Sequence, residues 1–354
     1  PMIEPLRIGV AGLGTVGIGV LKLFDSHAAI LEARAGRPIA IKAVSARDRQ
    51  RERGVDLSRF SWFENALDMA ESEDVDVVVE LIGGSKGIAK ELTERAIANQ
   101  KHIVTANKAL VAQYGTSLAQ AAEENNINLA YEAAVAGGIP IVKALREGLA
   151  ANQVDRLYGI LNGTCNYILS AMDESGRDFT DVLAEAQNLG YAESDPRFDV
   201  DGIDTAHKLA ILASVAFGAE VDFEGIHVEG ISKISSIDIE FAKELGYGIK
   251  LLGIATRLKN GILQRVHPCM VPSDAPINHV RGVFNGIEVA GDFIGTTIYE
   301  GRGAGSGPTA SAVVSDILDI ARGNSVPVFG VPSNTLKPME TLDIGHYLGP
   351  YYVR

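Results

Sequence analysis

The sequence predicts an α/β protein: a parallel sheet covered by helices in the N-terminal part, followed by an α+β region. Three observations carry this expectation. Short apolar strand-like runs alternate with helical patterns over the first 135 residues, a glycine loop separates the first strand from the first helix, and after residue 136 the pattern changes to helices followed by long strand-like runs. Strands that alternate with helices form parallel sheets with both faces covered. At 354 residues the chain exceeds what one core usually organises, so at least two domains are expected.

Composition narrows the class. With 46% hydrophobic and 22% charged residues the chain is globular in type, and no run is apolar for long enough to cross a membrane. The formal charge of −13 disfavours nucleic acid and anionic lipid surfaces as partners. Two cysteines, Cys165 and Cys269, make no disulfide framework, and no secretory signal pattern precedes the first strand, so a cytoplasmic protein is expected. Pro1 ahead of Met2 reads as a processing remnant.

Taken in order, LRIGVA (6–11) is a β-type run stopped by glycines, and 15–34 reads as a helix. IAIKAVS (39–45), VDVVVELI (75–82), KHIVTAN (101–107) and INLAYEAAV (127–135) are further strands, with helices at 86–99 and 115–125. AGGIP opens the second region, where helices are expected at 179–189 and 202–217 and strands at LLGIATRL and GILQRVHPCMV. A last helix, 309–322, follows a glycine loop and is expected to return to the first domain.

The first loop, GVAGLGTVG, carries G-x-G-x-x-G at Gly12, Gly14 and Gly17 between a strand and a helix, which is the context of a Rossmann dinucleotide site. Gly12 permits the tight turn, Gly14 the approach of a pyrophosphate, and Gly17 close packing of helix on strand, while the amides of the first turn, at Thr15 and Val16, face the anion. The second strand ends VSARD. Ser45 and Arg47 then offer a hydroxyl and a guanidinium to a ribose 2′-phosphate, favouring NADP; a shift of register would bring Asp48 to the tip and favour NAD.

Between 188 and 209, NLGYAESDPRFDVDGIDTAHKL, five carboxylates (Glu193, Asp195, Asp199, Asp201 and Asp204) precede Lys208. Asp201 suits a helix N-cap, with Asp204 in the first turn. Lys208 is not explained that way, because IDTAHKLAILASVAF is apolar nearly all round and such a helix is buried. Asp204 and Lys208 lie one turn apart on one face. A structural ion pair and a proton-exchanging catalytic lysine are both open readings. His207 points elsewhere and reads as structural or exposed.

The run A-x3-G-Y-A-E-S-D-P-x2-D-x2-G-x-D-x3-K, from Ala186 to Lys208, resembles the signature of homoserine dehydrogenases. TANKAL (105–110), YEAAVAGGIP (131–140), NGTCNYIL (162–169) and GRGAGSGPTASAVVSDI (301–317) resemble the family in the same order, so the likeness covers about residues 5–340. The resemblance implies NAD(P)-dependent oxidation of L-homoserine to L-aspartate 4-semialdehyde, the reverse reduction serving threonine and methionine biosynthesis. It implies Lys208 as proton donor and acceptor, Lys108 beside substrate and nicotinamide, Glu193 and Asp204 on the substrate ammonium, Asp199 and Asp195 shaping the site, and Gly190 and Tyr191 around the substrate. It further implies Gly84 and Gly305 at the cofactor. Glu132 with the carbonyls of Val135, Gly137 and Ile139 resembles a monovalent cation site, and one carboxylate with carbonyls suits Na⁺; a glycine turn with a solvated Glu132 is the other open reading.

The corresponding domains are 1–135 for the dinucleotide, 136–305 for substrate and dimerisation, 306–340 for the returning helix and 341–354 for a tail; a homodimer or dimer of dimers is implied. The sequence ends GPYYVR, and YYVR resembles the opening strand of an ACT-type regulatory domain, so a shortened form is expected, with a weakly packed end and no threonine inhibition. Two other readings are an acylating aldehyde dehydrogenase with Cys165 as nucleophile and a non-catalytic dinucleotide sensor; the first lacks a nearby His, the second leaves Lys208 unexplained.

Overall fold

The computed structural model describes residues 4–353, so Pro1 lies outside it. The chain divides into two units, Pro1–Gly148 with Arg302–Leu336, and Leu149–Gly301 with Lys337–Arg354.

The first unit holds strands β1 (Leu6–Ala11), β2 (Ile39–Ser45), β3 (Ser61–Phe63), β4 (Val77–Glu80), β5 (His102–Thr105) and β6 (Leu129–Ala130) in a parallel sheet of order β3-β2-β1-β4-β5-β6. The order reverses direction at β1, the switch point of a doubly wound sheet, where ligands bind beyond the strand C-termini. All four residues of β4 are buried, which is why VVVE shows no alternation. Helices α1 (Thr15–Ala35), α2 (Ala66–Glu71), α3 (Ile88–Ala98), α4 (Lys108–Glu124) and the short α5 (Ile141–Lys143) complete this part.

Two elements depart most from the sequence reading. The helix expected at 115–125 begins at Lys108, because the Asn107 side chain caps it by accepting from Leu110 N–H at 3.0 Å. The strand expected over 127–135 shrinks to two residues: at Tyr131 the chain turns into a 3₁₀ segment, Glu132–Ala134, held where Glu132 N–H donates to Asp316 at 3.0 Å and the Tyr131 hydroxyl donates to Val328 O at 2.6 Å. The unit continues to Gly148 because the Glu132 carboxylate accepts from the Val142 and Lys143 N–H groups at the start of α5.

The second unit is built on β7 (Val154–Ile160), β8 (His227–Val228), β9 (Tyr247–Leu258), β10 (Gly261–Pro272), β11 (Phe284–Gly291), β12 (Gly295–Arg302) and β13 (Thr341–Leu342), in the order β12-β11-β7-β9-β10-β13 with β8 also on β10. The pairs β7–β11, β7–β9 and β9–β10 are antiparallel. Its helices are α6 (Gly163–Ser175), α7 (Phe179–Asn188), α8 (Arg197–Val200), α9 (Ile203–Phe217) and α10 (Ser236–Glu244). Helix α9 is buried from Asp204 to Val215. Its N-cap is Gly202, at φ +85°, and not Asp201, whose side chain is exposed; the left-handed turn out of α8 requires glycine there.

Helix α11 (Ser306–Ala321) belongs to the first unit and begins three residues before the expected position, after Gly305 at φ +119°. It packs on α1, where Gly19 leaves room for Ser306 and Ala310. Near the chain end, Leu348 and Val353 are exposed and the Tyr352 hydroxyl donates to Asp238 at 3.2 Å.

Candidate active site

The glycine loop of the first unit has the geometry a dinucleotide needs. Gly12 takes φ +105°, and a Cβ there would stand 2.5 Å from the Leu81 carbonyl oxygen. A Cβ on Gly17 would meet the Gly12 oxygen at 2.1 Å, so the helix sits as close to the strand as glycine allows. Around Gly14 nothing lies within 4 Å, leaving an open approach. The first turn of α1 has no side-chain cap, so the amides of Thr15 and Val16 keep their partial positive charge outward. Strand β2 ends at Ser45, which is buried, and Arg47 beyond it is exposed; Asp48 turns back to accept from Gln50 and Arg51 N–H.

A buried carboxylate absent from the sequence reading organises the adjacent loops. Glu80, at the end of β4, accepts from Ile82 and Gly83 N–H through one oxygen and from the Thr105 hydroxyl, at 2.8 Å, through the other. Asn107 donates to Gly84 O at 2.7 Å while capping α4, so Gly84 and Lys108 are tied to one asparagine. An acid ending an apolar strand is the signal that could have found Glu80.

In the second unit the Lys208 ammonium donates to Asp204 at 2.8 Å and to Leu161 O at 2.7 Å; Lys208 is 9% and Asp204 1% exposed. Asn162, at the N-cap of α6, donates one amide to both Asp199 (2.8 Å) and Asp204 (2.7 Å), and its oxygen accepts from Cys165 N–H. Of the five carboxylates, Asp199 and Asp204 are thus joined into one network. Asp195 instead forms a two-point pair with Arg197, which holds its carboxyl down at about 2, and Glu193 and Asp201 are exposed outside that network. Gly190 takes φ +77°, and Tyr191 after it packs edge-on against Tyr167 at 4.9 Å. His207 is buried between Phe198 and Phe223.

Cys165 is fully buried, its thiol donates to Asp199 O at 3.2 Å, and burial first, then the neighbouring carboxylates, push it well above its ordinary value. A thiol held in that form is no nucleophile, which removes the aldehyde dehydrogenase reading.

Back in the first unit, Glu132 is 3% exposed and burial, helped by Asp316, pushes its carboxyl up to about 7. Ala136 and Gly137 turn the chain through left-handed conformations at φ +55° and +51°, between the Val135 and Ile139 carbonyls; the latter also accepts from Ile141 N–H at 2.8 Å. Among the described residues no three His, Cys, Asp or Glu side chains gather as a metal site.

A doubly wound unit with this glycine loop, joined in one chain to a unit carrying a buried Lys–Asp pair, defines a nicotinamide-dependent oxidoreductase class, and known proteins fit it. The profile described as "Homoserine dehydrogenase, NAD binding domain" matches residues 12–132, and that described as "Homoserine dehydrogenase" matches 140–318. A homoserine dehydrogenase of Pseudomonas aeruginosa is 48% identical over 99% of this chain and 82% of its own length. The crystal structure of a homoserine dehydrogenase from Thiobacillus denitrificans superposes with a TM-score of 0.92 at 47% identity, covering 97% of this chain and 80% of that one. A hyperthermophilic archaeal homoserine dehydrogenase in complex with NADPH gives 0.77 at 25% identity, covering 89% and 97%. The chain belongs to the homoserine dehydrogenase family.

Proposed function

We propose that this chain interconverts L-homoserine and L-aspartate 4-semialdehyde with Lys208 as the proton relay, and that NADP is its preferred nicotinamide cofactor. The observation that carries the relay is the buried Lys208 held to Asp204 on one face of α9, one turn apart, in a chain of this family. The glycines at 12, 14 and 17 fit a dinucleotide by the space they leave, and the nicotinamide, when bound, takes or gives the hydride at the substrate carbon.

In the oxidising direction Lys208, as the free amine, removes the hydroxyl proton; in the reducing direction its ammonium returns that proton to the aldehyde oxygen. Asp204 and the Leu161 carbonyl fix where the proton sits. Asp204 and Asp199, aligned by Asn162, and the exposed Glu193 supply negative charge for the substrate ammonium. Lys108, at the first position of α4, and Gly84 and Gly305 are cofactor contacts in this reading. Gly190 and Tyr191 border the substrate.

Ser45 and Arg47 support NADP because β2 ends where the 2′-phosphate would be read. For the cation, Glu132 is buried and costly to ionise, and a Na⁺ held with the Val135, Gly137 and Ile139 carbonyls would offset that cost. The family likeness supports a homodimer, and Phe293, 91% exposed beside Ile294, offers apolar surface for one. No helix among the described residues is long and apolar enough to cross a membrane, and a cytoplasmic location agrees with a biosynthetic role.

The test is a steady-state assay with L-homoserine and either cofactor, following reduced nicotinamide by its absorbance. Homoserine-dependent reduction with a lower KM for NADP is expected. No homoserine-dependent change would favour a dinucleotide sensor instead.

A further inference from the structure

The second unit holds a cavity of about 190 Å³. That is room for about six waters at ~30 Å³ each. At its floor is Lys250, on β9 and 3% exposed. Its ammonium donates to Val280 O at 2.7 Å and to the Asn166 side-chain oxygen at 3.3 Å, both neutral acceptors. Burial, reinforced by Arg281, pushes this amine down to about 8. A buried ammonium whose acceptors are all neutral is costly, and nothing in the proposed reaction uses it.

At the rim two cations face two carboxylates, since Arg281 also lies 3.9 Å from Glu174. Arg281 and Lys243 both reach the same carboxylate on the cavity wall, Asp173, at 2.8 and 3.5 Å. The Ser170 hydroxyl accepts from Gly282 N–H at 3.3 Å and keeps its own hydrogen to donate. The remaining wall includes Leu169, Ile239 and Ile249. The charge left without a carboxylate partner is that of Lys250, and one positive charge beside aliphatic side chains selects a ligand with a singly charged anionic head and a short apolar body.

We propose that this cavity binds a short-chain aliphatic carboxylate, its head group taken by Lys250 and Arg281 and its chain by Leu169, Ile239 and Ile249. One ligand charge matches the ammonium of Lys250, which meets neutral acceptors alone. A phosphate would bring a second charge and nothing to cover the aliphatic wall. Nor is this the Asp204–Lys208 site. Helix α6 grips those carboxylates with Asn162 at its start, and Ser170 lies eight residues on, about 12 Å along the axis at ~1.5 Å per residue.

Equilibrium dialysis of the full chain against n-butyrate at fixed ionic strength tests this, with n-butanol and inorganic phosphate as controls. Saturable binding of one butyrate is expected in the unaltered protein and in Lys208→Ala. Lys250→Met and Arg281→Gln should each weaken it by about tenfold or more, the loss of one charge-assisted bond. Met fills similar volume without the buried charge, so that variant should fold; if it does not, Arg281→Gln, at the half-exposed rim, decides alone. No saturable butyrate binding, binding unaffected by the variants, loss of binding in Lys208→Ala, or phosphate or butanol saturating the same site would each overturn the proposal.

Discussion

At the scale of single residues, chemistry was legible where charge met an apolar pattern. Lys208 stood out because a lysine on an all-apolar helix must be paired or used, and the structure pairs it with the acid one turn earlier. Asn162 did not stand out, although its motif did: an asparagine that caps a helix and one that bridges two carboxylates look alike in sequence, and this one does both. Converting it to Asp would keep the capping oxygen but remove the amide donor and crowd three acids together. Asn162→Asp should therefore lower kcat/KM for homoserine by about tenfold or more while circular dichroism stays unchanged; normal kinetics would remove Asn162 from the site. Arg47→Ala should raise the KM for NADP by about tenfold and leave that for NAD nearly constant, because only the phosphate gains a charge-assisted bond. Equal effects on both cofactors would show that Arg47 does not read the 2′-position.

At the scale of elements, the strand–loop–helix at the N-terminus was fully legible, since glycine spacing encodes backbone geometry directly. Gly17→Ala tests that geometry. Its Cβ would stand 2.1 Å from the Gly12 oxygen, so loop or helix must move, at a cost of about 1–3 kcal/mol with a raised cofactor KM. An unchanged melting temperature and KM would mean that the loop has slack. Helix α4 begins seven residues before the expected position because Asn107 reads equally as the end of a strand or as a cap, and only the fold distinguishes the two. Strand 127–135 is cut short for the opposite reason: its apolar residues are buried as expected, yet the Glu132 carboxylate among them accepts from the N–H groups at the start of α5, which breaks the ladder.

At the scale of the whole molecule, the parallel sheet and the second mixed sheet follow from periodicity, and the return of α11 to the first unit, expected from a helix after a glycine loop, is held by contacts hundreds of residues apart in sequence. The buried acids of the first unit set a pH dependence. Glu132 and Asp316 are pushed up to about 7 and about 6, chiefly by burial, so folding favours their protonated forms. Stability from this source is fully present below the unfolded carboxyl range near ~4 and is lost as pH rises to about 7, each carboxyl contributing a slope of at most about 1.4 kcal/mol for every step of one in pH. Glu132→Gln should flatten that slope in thermal unfolding. Sodium chloride should raise the melting temperature at pH 8 more than choline chloride does, and only with Glu132 present; identical curves in the two salts would argue against the cation site. The most direct measurement is the turnover of Lys208→Ala at saturating homoserine and NADP. A proton relay at Lys208 requires kcat to fall by about 10²- to 10⁴-fold with cofactor affinity little changed, whereas near-normal kcat in a folded variant would reduce the Lys208–Asp204 pair to a structural ion pair.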